Sequence, residues 1–197
     1  NAVWGLEVKN SGWVLIVTAE DSAEICKARL REIMKHLNLT TEQKMRVLDN
    51  FCIWDVVGAD LHLVQLHDGN VRTTDLAEQL IDAYGDMPPA VIIVDPTSSF
   101  GASEQAVNDN EIGLIRAARK LVASLGCCVR LVHHTGKANA REKTLDQYSA
   151  RGGSALVDGA RMVAIMSRWE ACDERTPPAT FAGRDDLVIL ARAKLSY

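Results

Sequence analysis

The sequence lacks an apolar run long enough to cross a membrane. Although 47% of its 197 residues are hydrophobic, no apolar stretch approaches the ~20 consecutive residues that a bilayer-spanning helix needs. We therefore expect a protein with no membrane partner.

The sequence also lacks paired cysteines. Its five cysteines are an odd number, and none of them forms a CxxC pair. This spacing excludes the disulfide frameworks of small secreted domains and the usual cysteine-rich zinc sites. We expect buried thiols in a reducing compartment, the cytoplasm.

There is little net charge and no internal repeat. The length of 197 residues predicts a single domain, 1–197. The net charge is −4. A nucleic-acid partner cannot be argued from the overall charge, and would need a local basic patch.

What is present is an alternation of strand and helix patterns. The stretches "WVLIVTA", "AVIIVDP" and "CCVRLVHH" are apolar and rich in β-branched residues, which predicts buried strands. Amphipathic stretches such as "SAEICKARLREIMKHL" and "NDNEIGLIRAARKLVASLG" predict helices. "GADLHLVQLHDGNV" predicts two short strands with a turn at Asp68-Gly69. The alternation favours a three-layer α/β fold with a mainly parallel central sheet.

The stretch "VIIVDPTSSF" ends a predicted strand on an acid, Asp95. Open α/β sheets bind ligands at the carboxyl ends of their strands. A carboxylate there can hold a Mg²⁺-bound water beside nucleotide phosphates. The alternative is an acid that caps the following loop, and this stretch alone does not decide between them.

Further polar residues follow two other predicted strands. Glu20 could orient or deprotonate an attacking water, or could, like Asp21, be an acid favoured at a helix N-terminus by the helix dipole. His133 and His134 end a predicted strand and would point to opposite faces of the sheet. At most one of them could sense a γ-phosphate there, and a structural role is the alternative.

A basic loop follows the two histidines. It contains Lys137, Arg141 and Lys143, and Arg151 precedes "GGSAL". These cations indicate either a solvated loop or contacts with the phosphates of DNA or of a nucleotide.

The order of these motifs resembles a known family. "VLIVTAEDS", "VIIVDPTSSF", "LVHHTGK", "ARGGSALVDGARMVAIM" and "AKLSY" together resemble the RecA-like ATPase domain of the RepA group of plasmid and phage replicative helicases. The resemblance extends from about Ser11 to Tyr197.

The resemblance implies roles for particular residues. It implies that Glu20 is the catalytic acid, that Asp95 is the Walker-B residue for Mg²⁺, and that His134, or else His133, senses the ATP phosphates. It implies that Arg151 reaches the nucleotide of a neighbouring subunit in a ring-shaped homo-hexamer. Members of this family also carry a Gly-rich GxxxxGK[ST] loop before the Glu20 strand, and the printed chain has none. We therefore expect this segment alone to be weak or inactive as an ATPase.

The resemblance implies a RecA-like P-loop NTPase core that binds ATP and Mg²⁺ and unwinds DNA as a RepA-type helicase, with single-stranded DNA as its partner. Lys137, Arg141 and Lys143 are the candidate DNA contacts. Two alternatives remain: a RecA-like ATPase that serves recombination or regulation, and a non-catalytic module for oligomerisation or DNA binding. A Gly-rich loop upstream of the printed chain would favour the enzyme readings.

Overall fold

The computed structural model describes residues 2–3, 6–102, 107–134, 145–149, 153–169 and 187–196. The chain divides into two compact units, Asn1–His133 and His134–Tyr197. The prediction of one domain over 1–197 remains a prediction.

The first unit alternates strands and helices along the chain. Its elements are β1 (Val14–Thr18), α1 (Ala23–His36), α2 (Thr41–Asp49), β2 (Phe51–Asp55), β3 (Val64–His67), β4 (Asn70–Thr73), α3 (Leu76–Tyr84), β5 (Val91–Asp95), a 3₁₀ turn (Thr97–Phe100), α4 (Val107–Leu125) and β6 (Cys128–Leu131). Ala2–Val3 and Leu6–Glu7 form a short antiparallel ladder before β1.

Four strands form the central sheet in the order β2-β1-β5-β6, and every pair is parallel. Side chains on β1 and β5 alternate between buried and half-buried positions, and Leu15, Val17, Ile92 and Val94 are at most 2% exposed. The predicted strands "WVLIVTA", "AVIIVDP" and "CCVRLVHH" thus contain β1, β5 and β6, which lie side by side.

The connections cover both faces of this sheet. The chain leaves β1 through α1 and α2 to reach β2, and it reaches β6 from β5 in the opposite direction through α4. Because parallel crossovers are right-handed in almost all proteins, a reversal of direction places the two sets of helices on opposite faces. The result is the three-layer α/β arrangement that the sequence predicted.

Local signals set the ends of the helices. The Ser22 side chain accepts a hydrogen bond from the amide of Ile25 at the start of α1. At the start of α2, Thr40 and Gln43 exchange hydrogen bonds in a capping box. Gly126 ends α4 with a φ of +64°, a conformation that glycine adopts without steric cost.

The predicted hairpin is present and lies against α4. β3 and β4 pair antiparallel around Asp68 and Gly69, whose φ angles of 50° and 74° are those of a tight hairpin turn. A Cβ built on Gly113 of α4 would lie 2.6 Å from Cγ1 of the fully buried Val64. Glycine at this position therefore allows the helix to approach the hairpin closely.

The second unit contains its own small sheet. A 3₁₀ turn (Gln147–Ser149) and a short helix, α5 (Ala155–Gly159), precede β7 (Met162–Arg168), which pairs antiparallel with β8 (Val188–Leu195). The Lys194 ammonium group donates hydrogen bonds to the carbonyls of Val157 (2.8 Å) and Asp158 (3.0 Å), which lie in α5. Lys194 therefore links β8 to α5 through two hydrogen bonds.

The strand predicted to reach His133 and His134 ends earlier, at Leu131, so the prediction that both histidines lie on a strand is wrong. The Val132 amide still donates to Val94 at 2.9 Å. The next rung of a parallel ladder would need an amide at residue 96, and Pro96 has none. His133 and His134 follow the end of the strand, so the alternation of side chains along a strand does not determine which way they point.

No helix in the described parts of the chain is long and apolar enough to cross a membrane. Cys26, Cys52, Cys127 and Cys128 are free thiols, but only Cys127 is buried. The expectation of buried thiols therefore holds for one of these four residues.

Candidate functional site

The predicted site residues of the first unit lie at the carboxyl edge of its parallel sheet. Thr18, the last residue of β1, pairs with Asp55 of β2 on one side and with Asp95 of β5 on the other. Connections leave β1 and β5 in opposite directions. The edge between these two strands is therefore a topological switch point, which is where open α/β sheets bind ligands.

Glu20 and Asp95 are neighbours at this switch point. The Ala19 amide donates a hydrogen bond of 2.9 Å to the Asp95 carbonyl, so the residue before Glu20 is bound directly to the end of β5. The Glu20 side chain is exposed and that of Asp95 is half-buried. The structure thus brings the main chain around Glu20 close to the main chain of Asp95, 75 positions away in the sequence (95 − 20).

Asp21 has a structural contact of its own. Its carboxylate accepts hydrogen bonds from both terminal nitrogens of Arg29 on α1, with Nη2 lying 3.1 Å from Oδ1. This forked geometry suits a guanidinium–carboxylate pair. Asp21 therefore joins the end of β1 to the first half of α1.

Asp55 also belongs to this edge, although the sequence pattern did not single it out. Its carboxylate accepts hydrogen bonds from the amides of Ala23 (2.8 Å) and Val57 (3.0 Å). The Val57 amide first, and then the Ala23 amide, hold the pKa of Asp55 below its ordinary value. The signal was available, because "FCIWD" ends an apolar strand on an acid in the same way as "VIIVD".

Cys26 on α1 is a second residue that the sequence did not single out for this edge. Burial raises the pKa of its thiol, and the negative charge of Asp21 raises that pKa further, with smaller contributions from Asp95 and Asp55. Arg29 acts in the opposite direction. The thiol thus experiences the field of all three aspartates at the edge.

The segment that leads to the histidines is tied to the loop after Asp95. The Thr97 amide (2.7 Å) and the Thr97 hydroxyl (2.6 Å) both donate to the carbonyl of Val132. Thr97 is 1% exposed. His133 follows directly and is half-buried, whereas His134 is exposed and is the first residue of the second unit.

The remaining predicted site residues lie outside the described parts of the chain. They are the candidate DNA contacts Lys137, Arg141 and Lys143, and the candidate arginine finger Arg151.

The donors at this edge fit a magnesium ion that is shared with a ligand. Among the described residues, no group of three or more His, Cys, Asp or Glu side chains could hold a metal ion. Mg²⁺ is commonly bound through one or two carboxylates, with water and substrate phosphates completing its six ligands. Asp95 at the switch point fits that mode, whereas an all-protein metal cage does not.

Comparisons with known proteins agree with this architecture. The chain is similar to a solved structure described as an ATPase domain, with a TM-score of 0.64 and 12% sequence identity over 93% of this chain and 67% of that one. This likeness confirms the expected fold, a RecA-like α/β core with a mainly parallel central sheet. No curated protein matches the sequence. Residues 1–140 match a family model described as an AAA domain, and because this match covers well over half of the chain, the chain belongs to the AAA domain family.

Proposed function

We propose that this chain is the motor domain of an ATP-dependent DNA helicase of the RepA type, which serves plasmid or phage DNA replication. The observation that carries the proposal is the pairing of β1 with β5, which sets Thr18, two residues before Glu20, opposite Asp95 at the switch point of the sheet. Membership of the AAA domain family and the fold shared with a solved ATPase domain support a nucleotide at this position.

The carboxylates of Asp95 and Glu20 have different roles in phosphoryl transfer to water. Asp95 would hold Mg²⁺ through a bound water, and the ion would supply positive charge that offsets the charge of the phosphates. Glu20, which is exposed at the end of β1, orients an attacking water and accepts its proton. Asp21 and Asp55 take part in structural contacts at the same edge, with Arg29 and with backbone amides.

Residues beyond this edge complete the proposed cycle. His134, or else His133, senses the γ-phosphate, and Arg151 of one subunit stabilises the transition state on its neighbour in a homo-hexamer. An arginine finger of this kind is worth ~10³–10⁵ in rate. Lys137, Arg141 and Lys143 contact the phosphates of single-stranded DNA, which would make binding salt-dependent and insensitive to base sequence. We place this activity in the cytoplasm.

Strand displacement by the full-length protein tests the proposal. A forked DNA with one labelled strand is incubated with ATP and Mg²⁺, and release of the label is followed over time. Glu20→Gln should still bind ATP but should displace no strand, because the change removes the base and keeps the shape of the side chain. Glu42→Gln is the matched control, since Glu42 is an exposed acid on α2.

The outcomes separate the three functions. Displacement by the wild type and by Glu42→Gln, with none by Glu20→Gln, supports the helicase. Rapid DNA-stimulated ATP hydrolysis without displacement supports the recombination or regulatory ATPase. A full-length protein that hydrolyses no ATP supports the non-catalytic module.

A further inference from the structure

A buried hydroxyl ends the otherwise aliphatic strand β1. Four of the five residues of β1 are Val, Leu, Ile and Val, and the fifth is Thr18, which is 1% exposed. A buried hydroxyl is costly unless it is hydrogen-bonded. The Thr18 hydroxyl donates to the Asp21 carbonyl (3.1 Å) and accepts from the Asp21 amide (3.2 Å).

These two bonds close a tight turn around Glu20. Thr18 and Asp21 are the fixed ends of the turn, and only Ala19 and Glu20 lie between them. Ala19 is itself held by its amide, which donates to the Asp95 carbonyl at 2.9 Å. Glu20 is thus the exposed residue between two neighbours whose backbone is fastened to the protein.

Arg29 holds Asp21, the last residue of the turn. Its forked contact with the Asp21 carboxylate comes from the surface of α1. The backbone of Asp21 is therefore held by the sheet through Thr18, while its side chain is held by the helix through Arg29. Both contacts restrict the direction from which the Glu20 side chain leaves the main chain.

We propose that Thr18 and Arg29, acting through Asp21, are positioning residues that aim the Glu20 carboxylate at the water to be activated. This inference rests on the proposed function, in which Glu20 is the base. A displacement of about 1 Å of a catalytic group can cost ~100-fold in rate. Nucleotide binding does not depend on where the base points, so loss of the turn lowers kcat and leaves KM for ATP unchanged.

The test compares variants of the full-length protein in steady-state ATP hydrolysis. Thr18→Val removes the hydroxyl at constant shape and should lower kcat about 10- to 100-fold, with KM for ATP within about twofold of wild type. Thr18→Ser keeps the hydroxyl and should retain kcat within about threefold. Thr18→Val combined with Glu20→Gln should be no slower than Glu20→Gln alone, because residues that act through one group are not additive.

Thr74→Val is the matched control. The Thr74 hydroxyl also donates to a carbonyl, that of His62, and accepts from an amide, that of Leu76, but it lies at the hairpin and not at the sheet edge. Its loss should lower the melting temperature without changing kcat. A general loss of stability would therefore affect both threonine variants, whereas loss of positioning affects only Thr18→Val.

Arg29→Gln keeps the proposal testable if Thr18→Val does not fold, because Arg29 lies on the exposed surface of α1. This variant should lower kcat at least about threefold at unchanged KM, and it too should add nothing to Glu20→Gln. Wild-type kcat in a folded Thr18→Val, or in Arg29→Gln where Thr18→Val cannot be obtained, would overturn the inference. Wild-type turnover in Glu20→Gln would instead overturn the proposed function itself.

Discussion

Gly113→Ala should change the free energy of unfolding through two opposing effects, a gain in helix propensity and a loss from overpacking. Gly113 lies within α4, where alanine is favoured over glycine by ~1 kcal/mol of helix propensity. The added Cβ would lie 2.6 Å from Cγ1 of Val64 and 3.3 Å from Cγ1 of Val71. Val64 is fully buried in β3 and has no solvent to move into. Overpacking of this kind costs ~1–3 kcal/mol, so we expect a net loss of ~1 kcal/mol.

Urea unfolding of the full-length protein measures this loss. With an m-value of ~2 kcal/mol/M, a loss of ~1 kcal/mol lowers the midpoint by ~0.5 M at unchanged m. The same loss lowers the melting temperature by ~2–4 °C for a protein of this size.

The Val64→Ala background provides the control, because it removes the methyl group that the new Cβ meets. Gly113→Ala should then be neutral or stabilising by up to ~1 kcal/mol, since helix propensity remains and the closest contact is gone. If Gly113→Ala stabilises the otherwise wild-type protein, the close approach of α4 to the hairpin is refuted.

Two further predictions concern the sheet edge. The backbone amides of Val57 and Ala23 lower the pKa of Asp55 in the folded state. The ionised Asp55 carboxylate therefore stabilises the fold at pH values above its unfolded pKa of ~3.9, and this stabilisation is lost as the pH falls through the lower folded pKa. Asp55→Asn should therefore lose less stability than wild type on acidification below pH ~4, as measured by urea midpoints against pH, and an identical pH dependence would exclude this role. Thr97→Val should lose ~1 kcal/mol in the same unfolding assay and Thr97→Ser almost nothing, because the Val132 carbonyl loses one donor but keeps the Thr97 amide. Equal stability of the two Thr97 variants would contradict the second prediction.

The strands and helices of the first unit could be predicted from hydrophobic periodicity, because each pattern depends only on neighbouring residues in the sequence. Apolar, β-branched runs produced β1, β5 and β6, and the Asp68-Gly69 pair marked the hairpin turn correctly. The end of β6 was missed because it depends on another strand. Pro96, 35 residues before Leu131 in the chain (131 − 96), lacks the amide that would extend the ladder.

The candidate site also contains residues that the local sequence indicates and residues that only the folded structure reveals. Glu20 and Asp95 could be proposed from the sequence because each lies at the end of a recognisable strand, and the parallel register pairs Thr18, two residues before Glu20, with Asp95. Their roles stay predictions. Thr18 was missed because a threonine in an aliphatic run reads as one more β-branched strand residue, and its hydrogen bonds to Asp21 appear only with the turn. Asp55 was missed although it carries the same signal as Asp95.

Burial was the least predictable property. The stretch "SAEICKARLREIMKHL" predicts an amphipathic helix, yet Met34 is the buried residue of α1, Ile25 and Ile33 are exposed, and Leu37, the C-terminal cap, is 63% exposed. A helical pattern identifies which side chains share a face. It does not show how much of that face the rest of the chain covers.

The central claim is that Glu20, at the switch point beside Asp95, is the base for ATP hydrolysis. The most direct measurement is the rate of ATP hydrolysis by full-length Glu20→Gln at saturating Mg²⁺ and ATP, relative to Glu42→Gln. We predict a rate at least ~100-fold lower at unchanged ATP affinity, in line with the contribution of general bases. Equal rates for the two variants would contradict the claim and would leave Glu20 as an acid at the start of a helix.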